Sequence, residues 1–181
     1  MPWGGKIDSL DKWSERSGVS EEENKAVVRR WIEAFNERDW QAEADVLAPG
    51  FVAHVSAAPG PLEGLEAWRQ FTAPFTEAFP DLRLTIQDIA AEGDTVAARV
   101  AFHGTHRGEF QGIPPTGKEV SFSSMEFNRV VEGKVEEHWV EINLLGLVQQ
   151  LGVATIPGPG LVARMLVRLA RKLRSRLSTG R

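Results

Sequence analysis

The spacing of apolar positions changes twice along the chain, from helical to alternating and back to helical. Val27, Val28, Trp31, Ile32 and Phe35 recur three and four residues apart, which puts them on one face of a helix. Ser20 and Glu23 ahead of them form a capping box, the serine accepting from the first turn while the glutamate reaches back. A helix is predicted from there to about Arg38. Asp39 can cap a second, short helix carrying Trp40, Val46 and Leu47, closed by Pro49-Gly50. A short strand is predicted at 51–55 and a loop over 56–61. Helical spacing returns over 63–79, where Trp68, Phe71, Phe75 and Phe79 make one stripe. Pro74 inside it predicts a kink or break, because proline removes a backbone donor.

From residue 82 the period is two. Leu82, Leu84 and Ile86 alternate, Glu92-Gly93-Asp94 turns the chain, and Val96, Ala98, Val100 and Phe102 alternate back. The segment 103–117, with Gly108, Gly112, Gly117 and Pro114-Pro115, reads as a structured connection between strands. Further strands are predicted near 118–131 and 134–143, joined at Glu132-Gly133-Lys134. Helices followed by an antiparallel sheet make an α+β arrangement, in which the sheet curls around the N-terminal helices to bury both. Such a half-open cone leaves a cavity between helix and concave sheet face, where small-molecule pockets lie.

The outer segments read differently. Residues 1–19 are an arm with Trp3 and Trp13 as anchors, ahead of a domain at 20–153. A Pro/Gly linker at 154–160 leads into 161–181, where Leu161, Met165, Leu169, Leu173 and Leu177 recur every fourth residue. This is an amphipathic helix, and a cationic one. Net charge is −4 overall, yet 161–181 holds seven basic residues and no acid, leaving 14 basic against 25 acidic residues in the first 160. That balance argues against a nucleic-acid-binding body and suggests peripheral membrane or partner contact through the tail. With no Cys, thiolate chemistry and disulfides are excluded. The first residues hold no apolar stretch and no apolar run reaches about 18 residues, so neither a secretory signal nor a membrane span is expected. A cytoplasmic location is the default.

Phosphate loops, dinucleotide fingerprints and nucleophile elbows are all missing, and His54, His103, His106 and His138 lack ligand spacing. No metal site is expected. What remains is acid–base chemistry by side chains facing the cavity. Glu126 is the leading candidate, on a strand with Phe122 and Phe127 that can desolvate it. From alternation alone, Glu126 and Glu141 either face the cavity or sit on the solvated side, since a one-residue bulge reverses facing. His54 either points into the cavity mouth or is satisfied by a loop carbonyl, and His106 either pins its loop or reaches substrate. Trp139 is read as core or pocket wall, with adjacent His138 on the other side. Trp31, Phe35, Phe51, Trp68 and Phe75 are candidate walls, with simple core packing as the alternative.

Several strings go further. Ala78-Phe-Pro-Asp-Leu82, the run from Gly104 to Lys118, Arg129 with Gly133-Lys134-Val135, Glu137-His138-Trp139 and the run from Leu144 to Gly152 together resemble the SnoaL-like polyketide cyclases, or ester cyclases, of the nuclear-transport-factor-like cone fold. The resemblance implies an apolar pocket, a small hydrophobic substrate, a homo-oligomer (dimer or tetramer) and no cofactor. It also implies an intramolecular aldol closure of an aromatic polyketide ester, with an acid on the last strand moving protons. The chain departs from that pattern: where an aspartate is usual after Glu-His-Trp it has Val140, Glu141, Ile142 and Asn143. Glu126 stands where relatives often carry histidine. The acid is therefore expected at Glu126 or Glu141, with Asn143 and His54 orienting a substrate oxygen. Epoxide opening on the same fold and a non-catalytic role, as a hydrophobic-ligand carrier or an oligomerisation module, are the alternatives. A buried carboxylate with a raised pKa would favour an enzyme, and a dry apolar cavity a carrier.

Overall fold

The computed structural model describes residues 20–153. The predicted arm, linker and basic tail, with the membrane contact expected of the tail, lie outside the described residues.

Helix α1 (Glu21–Glu37) starts at the predicted capping box, with Ser20 and Glu23 each holding the other's backbone. It buries Val27, Val28, Trp31, Ala34 and Phe35 and ends at Arg38 in the left-handed region, φ 58°. Asp39 caps helix α2 (Trp40–Val46) by accepting from the backbone of Gln41 and Ala42 at 3.1 and 2.9 Å. Pro49-Gly50 does not close that helix as expected. The chain is already extended at Leu47, and the pair falls inside strand β1 (Leu47–Val55), where the pairing register shifts between Leu47 and Val52. An irregularity of that kind accommodates a proline that cannot donate to the ladder.

Strand β2 (Leu62–Glu63) is short and leads into helix α3 (Gly64–Ala78), which runs through Pro74 without ending. Packing accounts for this: Phe71 and Phe75 lie 5.9 Å apart and Phe75 meets Phe110 at 5.1 Å between ring centroids, holding the helix across the missing bond. Strands β3 (Arg83–Glu92), β4 (Thr95–Thr105), β5 (Glu119–Val131) and β6 (Lys134–Ile142) form the predicted meander. The tight turn between β5 and β6 has Glu132 at φ 50° and Gly133 at φ 76°, the double positive φ that matches hairpin twist.

The sheet is open and curved, in the order β2-β1-β6-β5-β4-β3. Its neighbours are antiparallel except β1 and β6, which run parallel with Ala53 opposite His138 and Val55 opposite Val140. Alternation cannot reveal that pairing, because it reports which face a residue takes and not which strand lies beside it. On the concave side one core gathers Phe35, Phe79, Leu82, Phe102, Phe110, Phe122 and Leu147, and a second gathers Val28, Trp31, Phe51, Trp68, Val96 and Val135.

The glycine-rich connection is a plug. Arg107 and Gly108 donate their backbone N–H groups to the Ala78 carbonyl at 2.8 and 2.9 Å. A Cβ at Gly108 would stand 2.4 Å from the Glu77 carbonyl oxygen, so only glycine allows that approach. Phe110, 1% exposed, is thereby driven between Phe75 and Phe79. Helix α4 (Leu144–Leu151) closes the same end with Leu147 and Leu151, its last carbonyls held by the Lys118 ammonium at 3.1 and 3.2 Å.

Candidate active site

The cavity lies between the two aromatic helix stripes and the concave sheet face. α1 supplies Trp31, Ile32 and Phe35, α3 supplies Trp68, Phe71 and Phe75, and the strands supply Phe102, Glu126, His138 and Val140. The space between lining atoms, mouth included, is about 580 Å³, but the part open to the centre of a water molecule is only about 60 Å³. That smaller figure governs entry. It holds a few waters, so a fused-ring molecule enters only if half-buried walls such as Phe71 and Ile142 part.

Inner-face positions on β5 run Val120, Phe122, Ser124, Glu126, Asn128 and Val130, all buried. Glu126 is 5% exposed, and its carboxyl is pushed up to about 7 by burial, partly offset by a hydrogen bond from the Ser124 hydroxyl at 2.7 Å. Glu126 therefore sits at the floor of an apolar cavity with one oxygen oriented by Ser124. A carboxyl so placed exchanges a proton near neutral pH.

Strand β6 brings the main correction. Trp139 lies on the outer face and His138 on the inner one, the reverse of the reading from sequence. The cause is one extra residue: Arg129 pairs with Glu137 and Val130 with Val135, so Glu136 is unmatched. Val135 faces inward ahead of the bulge, and the slip moves the inward phase to His138, Val140 and Ile142. Arg129 accordingly meets both bulge carboxylates, Glu136 at 3.1 Å and Glu137 at 2.9 Å. Burial, with nearby His54 adding to it, pushes the His138 imidazole down to about 3, so the ring is neutral.

The same phase governs the other candidates. His54 is on the outer face of β1, stacked on Trp139 at 5.2 Å with 9° between planes, its Nε2 3.6 Å from Glu137. Glu141 is exposed on that outer side. Asn143 stands beyond the strand, where its side chain accepts from Gly146 N–H at 2.9 Å to cap α4. His106 is fully buried in the connection, its Nδ1 3.1 Å from the Thr116 hydroxyl and accepting from Thr116 N–H at 3.2 Å. Phe51 lies behind the wall, edge-on to Trp31 and Trp68 at 5.7 and 6.1 Å. Trp31, Phe35, Trp68, Phe75 and Glu126 thus come together at the cavity, whereas His54, His106, Trp139, Glu141 and Asn143 do not.

Two supporting residues were given no role of their own in the sequence reading. Glu43, fully buried, accepts from the Trp68 indole N–H at 3.2 Å and from Arg69 Nε at 3.0 Å, which sets the angle of a cavity wall. Asn128 lies 2.8 Å from His138 Nδ1. Neither has a sequence signal beyond being a polar residue among apolar ones. Among the described residues no group of His, Asp and Glu could hold a metal ion, and no helix is long and apolar enough to cross a membrane.

A curved open sheet over two helices, with Glu126 as the carboxyl lining an aromatic cavity among the described residues, defines a cone-shaped α+β fold. The comparisons with known proteins give the family. The family model for SnoaL-like polyketide cyclase matches residues 25–151, and the chain belongs to that family. It is 32% identical over 134 residues to aklanonic acid methyl ester cyclase DauD of Streptomyces sp. (strain C5), covering 70% of this chain and 80% of the relative. Among solved structures, AclR of Streptomyces galilaeus, a proposed hydroxylase, superposes with TM-score 0.70 at 33% identity, covering 80% of this chain and 95% of that one. IdmH of Streptomyces antibioticus superposes with TM-score 0.64 at 33% identity, covering 72% and 99%.

Proposed function

We propose that the protein closes a ring in a polyketide methyl ester by intramolecular aldol addition, with Glu126 moving the protons. The observation that carries this is Glu126 itself, a buried carboxyl that titrates near neutrality inside the aromatic cavity. The family resemblance expects an acid on the last strand, just after Trp139. Of the residues there, Val140 and Ile142 line the cavity and neither can titrate. Val140, however, pairs directly across the sheet with Glu126. A carboxyl rooted on β5 thus occupies the same stretch of cavity floor that β6 leaves apolar.

In this reading the ionised Glu126 takes a proton from the carbon between two carbonyl groups. The resulting enolate forms the new carbon–carbon bond to a second carbonyl carbon, and that carbonyl oxygen takes the proton back from Glu126. Nothing is oxidised and no atom is lost, so the reaction needs no cofactor and the product is an isomer of the substrate. A pKa near 7 keeps both protonation states populated for the two steps. Aromatic walls on α1 and α3 suit a flat, conjugated substrate, whose own delocalisation spreads the enolate charge.

Aklanonic acid methyl ester, the compound in the relative's name, is the first substrate to offer. Conversion to a product of equal mass, slowed about 10²–10⁴-fold in Glu126→Gln, is the expected result. A product heavier by one oxygen atom would favour the chemistry suggested for AclR, and full activity in Glu126→Gln would refute the role of Glu126.

A further inference from the structure

His138 is the titratable cavity residue, among those described, that the proton transfer leaves unused. It faces Asn128 across the β5–β6 pair, two positions from the partner of Glu126, on the same inner face. Sheet geometry puts diagonal neighbours of this kind about 7 Å apart. Trp31 and Trp68 stand edge-on to the imidazole at 4.9 and 5.3 Å between centroids, which fixes the ring plane.

The ring's tautomer follows from Asn128. Asn128 Nδ2 points at the Val96 carbonyl oxygen, 3.4 Å away, while Asn128 Oδ1 is 2.8 Å from His138 Nδ1. A carbonyl only accepts, so the amide nitrogen belongs on the Val96 side and the amide oxygen on the histidine side. His138 must then donate from Nδ1. A neutral imidazole carries one ring proton, so Nε2 is left with a bare lone pair. Among the described residues nothing hydrogen-bonds to it.

We propose that His138 Nε2 is the acceptor for a hydroxyl group of the substrate, a phenol or an enol, and that Asn128 is the positioning residue that holds the ring in its Nδ1–H form. A ketone or ester oxygen brings only lone pairs and is repelled there, whereas a hydroxyl donates to an acceptor that has no protein partner among the described residues. Glu126 and His138, on the same inner face two positions apart, together select a flat ring system that bears both a carbonyl and a hydroxyl. This rests on the cavity being the substrate site, as proposed above, but not on Glu126 being the proton carrier.

Two measurements test it. Long-range proton–nitrogen NMR of the unmutated chain should show His138 with a pyrrole-like Nδ1 and a pyridine-like Nε2, and Asn128→Ala should release that preference. An Nε2–H tautomer or an imidazolium near neutral pH overturns the proposal, and a His138 variant that fails to fold does not shelter it. Calorimetry with 2-naphthol and 2-methoxynaphthalene supplies the second readout. The naphthol should bind about tenfold tighter, as one buried hydrogen bond predicts. The preference should vanish in His138→Phe. A preference that survives His138→Phe, equal affinity for the two probes, or binding of neither overturns the assignment. The same pair measured on Glu126→Gln separates the two readings, since a retained preference there leaves His138 as its source whatever Glu126 does.

Discussion

Replacing Glu126 by glutamine should abolish a pH dependence of stability that the wild-type chain carries. The carboxyl titrates at about 7 when folded, raised by burial, against an ordinary value of 4.5. Below 4.5 both folded and unfolded chains hold the proton, and the group's full contribution to stability is present. As pH rises through the interval, unfolding releases a proton that the native state retains, so stability falls, and above about 7 the whole contribution is lost. At about 1.4 kcal/mol per pH unit, that interval amounts to about 3 kcal/mol. Glutamine keeps the shape, can still accept from Ser124 and does not titrate. Urea unfolding of both chains at about pH 4 and about pH 8.5 gives the comparison, with contributions from distant titrating groups cancelling in the difference. Between those two conditions Glu126→Gln should gain about 3 kcal/mol on wild type. A flat difference would mean that the carboxyl is solvated, and a difference of opposite sign would mean that an unrecognised cation holds it ionised. Either result removes the basis for proton transfer by Glu126. Greater stability coupled to lost turnover is the signature expected of a site that maintains a desolvated acid.

Three further changes probe the surroundings of that acid. Ser124→Ala deletes the one hydrogen bond that favours the ionised form, so the titration of Glu126 should move above about 7, and the pH profiles of stability and turnover should follow it upward; a downward move contradicts the assigned donor. Glu43→Ala strips the buried partner from Trp68 and Arg69 and should cost about 3 kcal/mol in urea unfolding, with altered Trp68 fluorescence; a cost under about 0.5 kcal/mol refutes its role as a clamp. Gly108→Ala places a methyl group against the Glu77 carbonyl oxygen. It should cost about 1–3 kcal/mol and unseat Phe110, which is read as faster amide exchange at Phe110 and Ile113.

The sequence was most legible where period alone decides. The stripe on α1, the capping box at Ser20 and the β-meander follow from spacing and from turn chemistry, and the resemblance strings lie on that frame. Glu126 was legible as a candidate but not in its facing, which the structure supplies: Phe122, Ser124, Glu126 and Asn128 stay in one phase along β5, opposite a β4 whose register is unbroken from Thr95 to Thr105. What spacing does not carry is phase across an irregularity. Val135 and Trp139 share parity and are both apolar, so unbroken alternation places the indole in the cavity. Glu136 shifts the strand by one residue, and His138 and Val140 take the inner face instead. The shift also moves Glu141 outward, so the acid nearest to the family's usual position cannot serve. His54 was misplaced for a different reason, because its strand lies parallel to β6 and leans on the outer face through Trp139. Glu136 and Glu137, both held by Arg129, thus do more than decorate the surface. The bulge they form decides that the cavity floor presents an imidazole beside the Glu126 carboxyl rather than an indole.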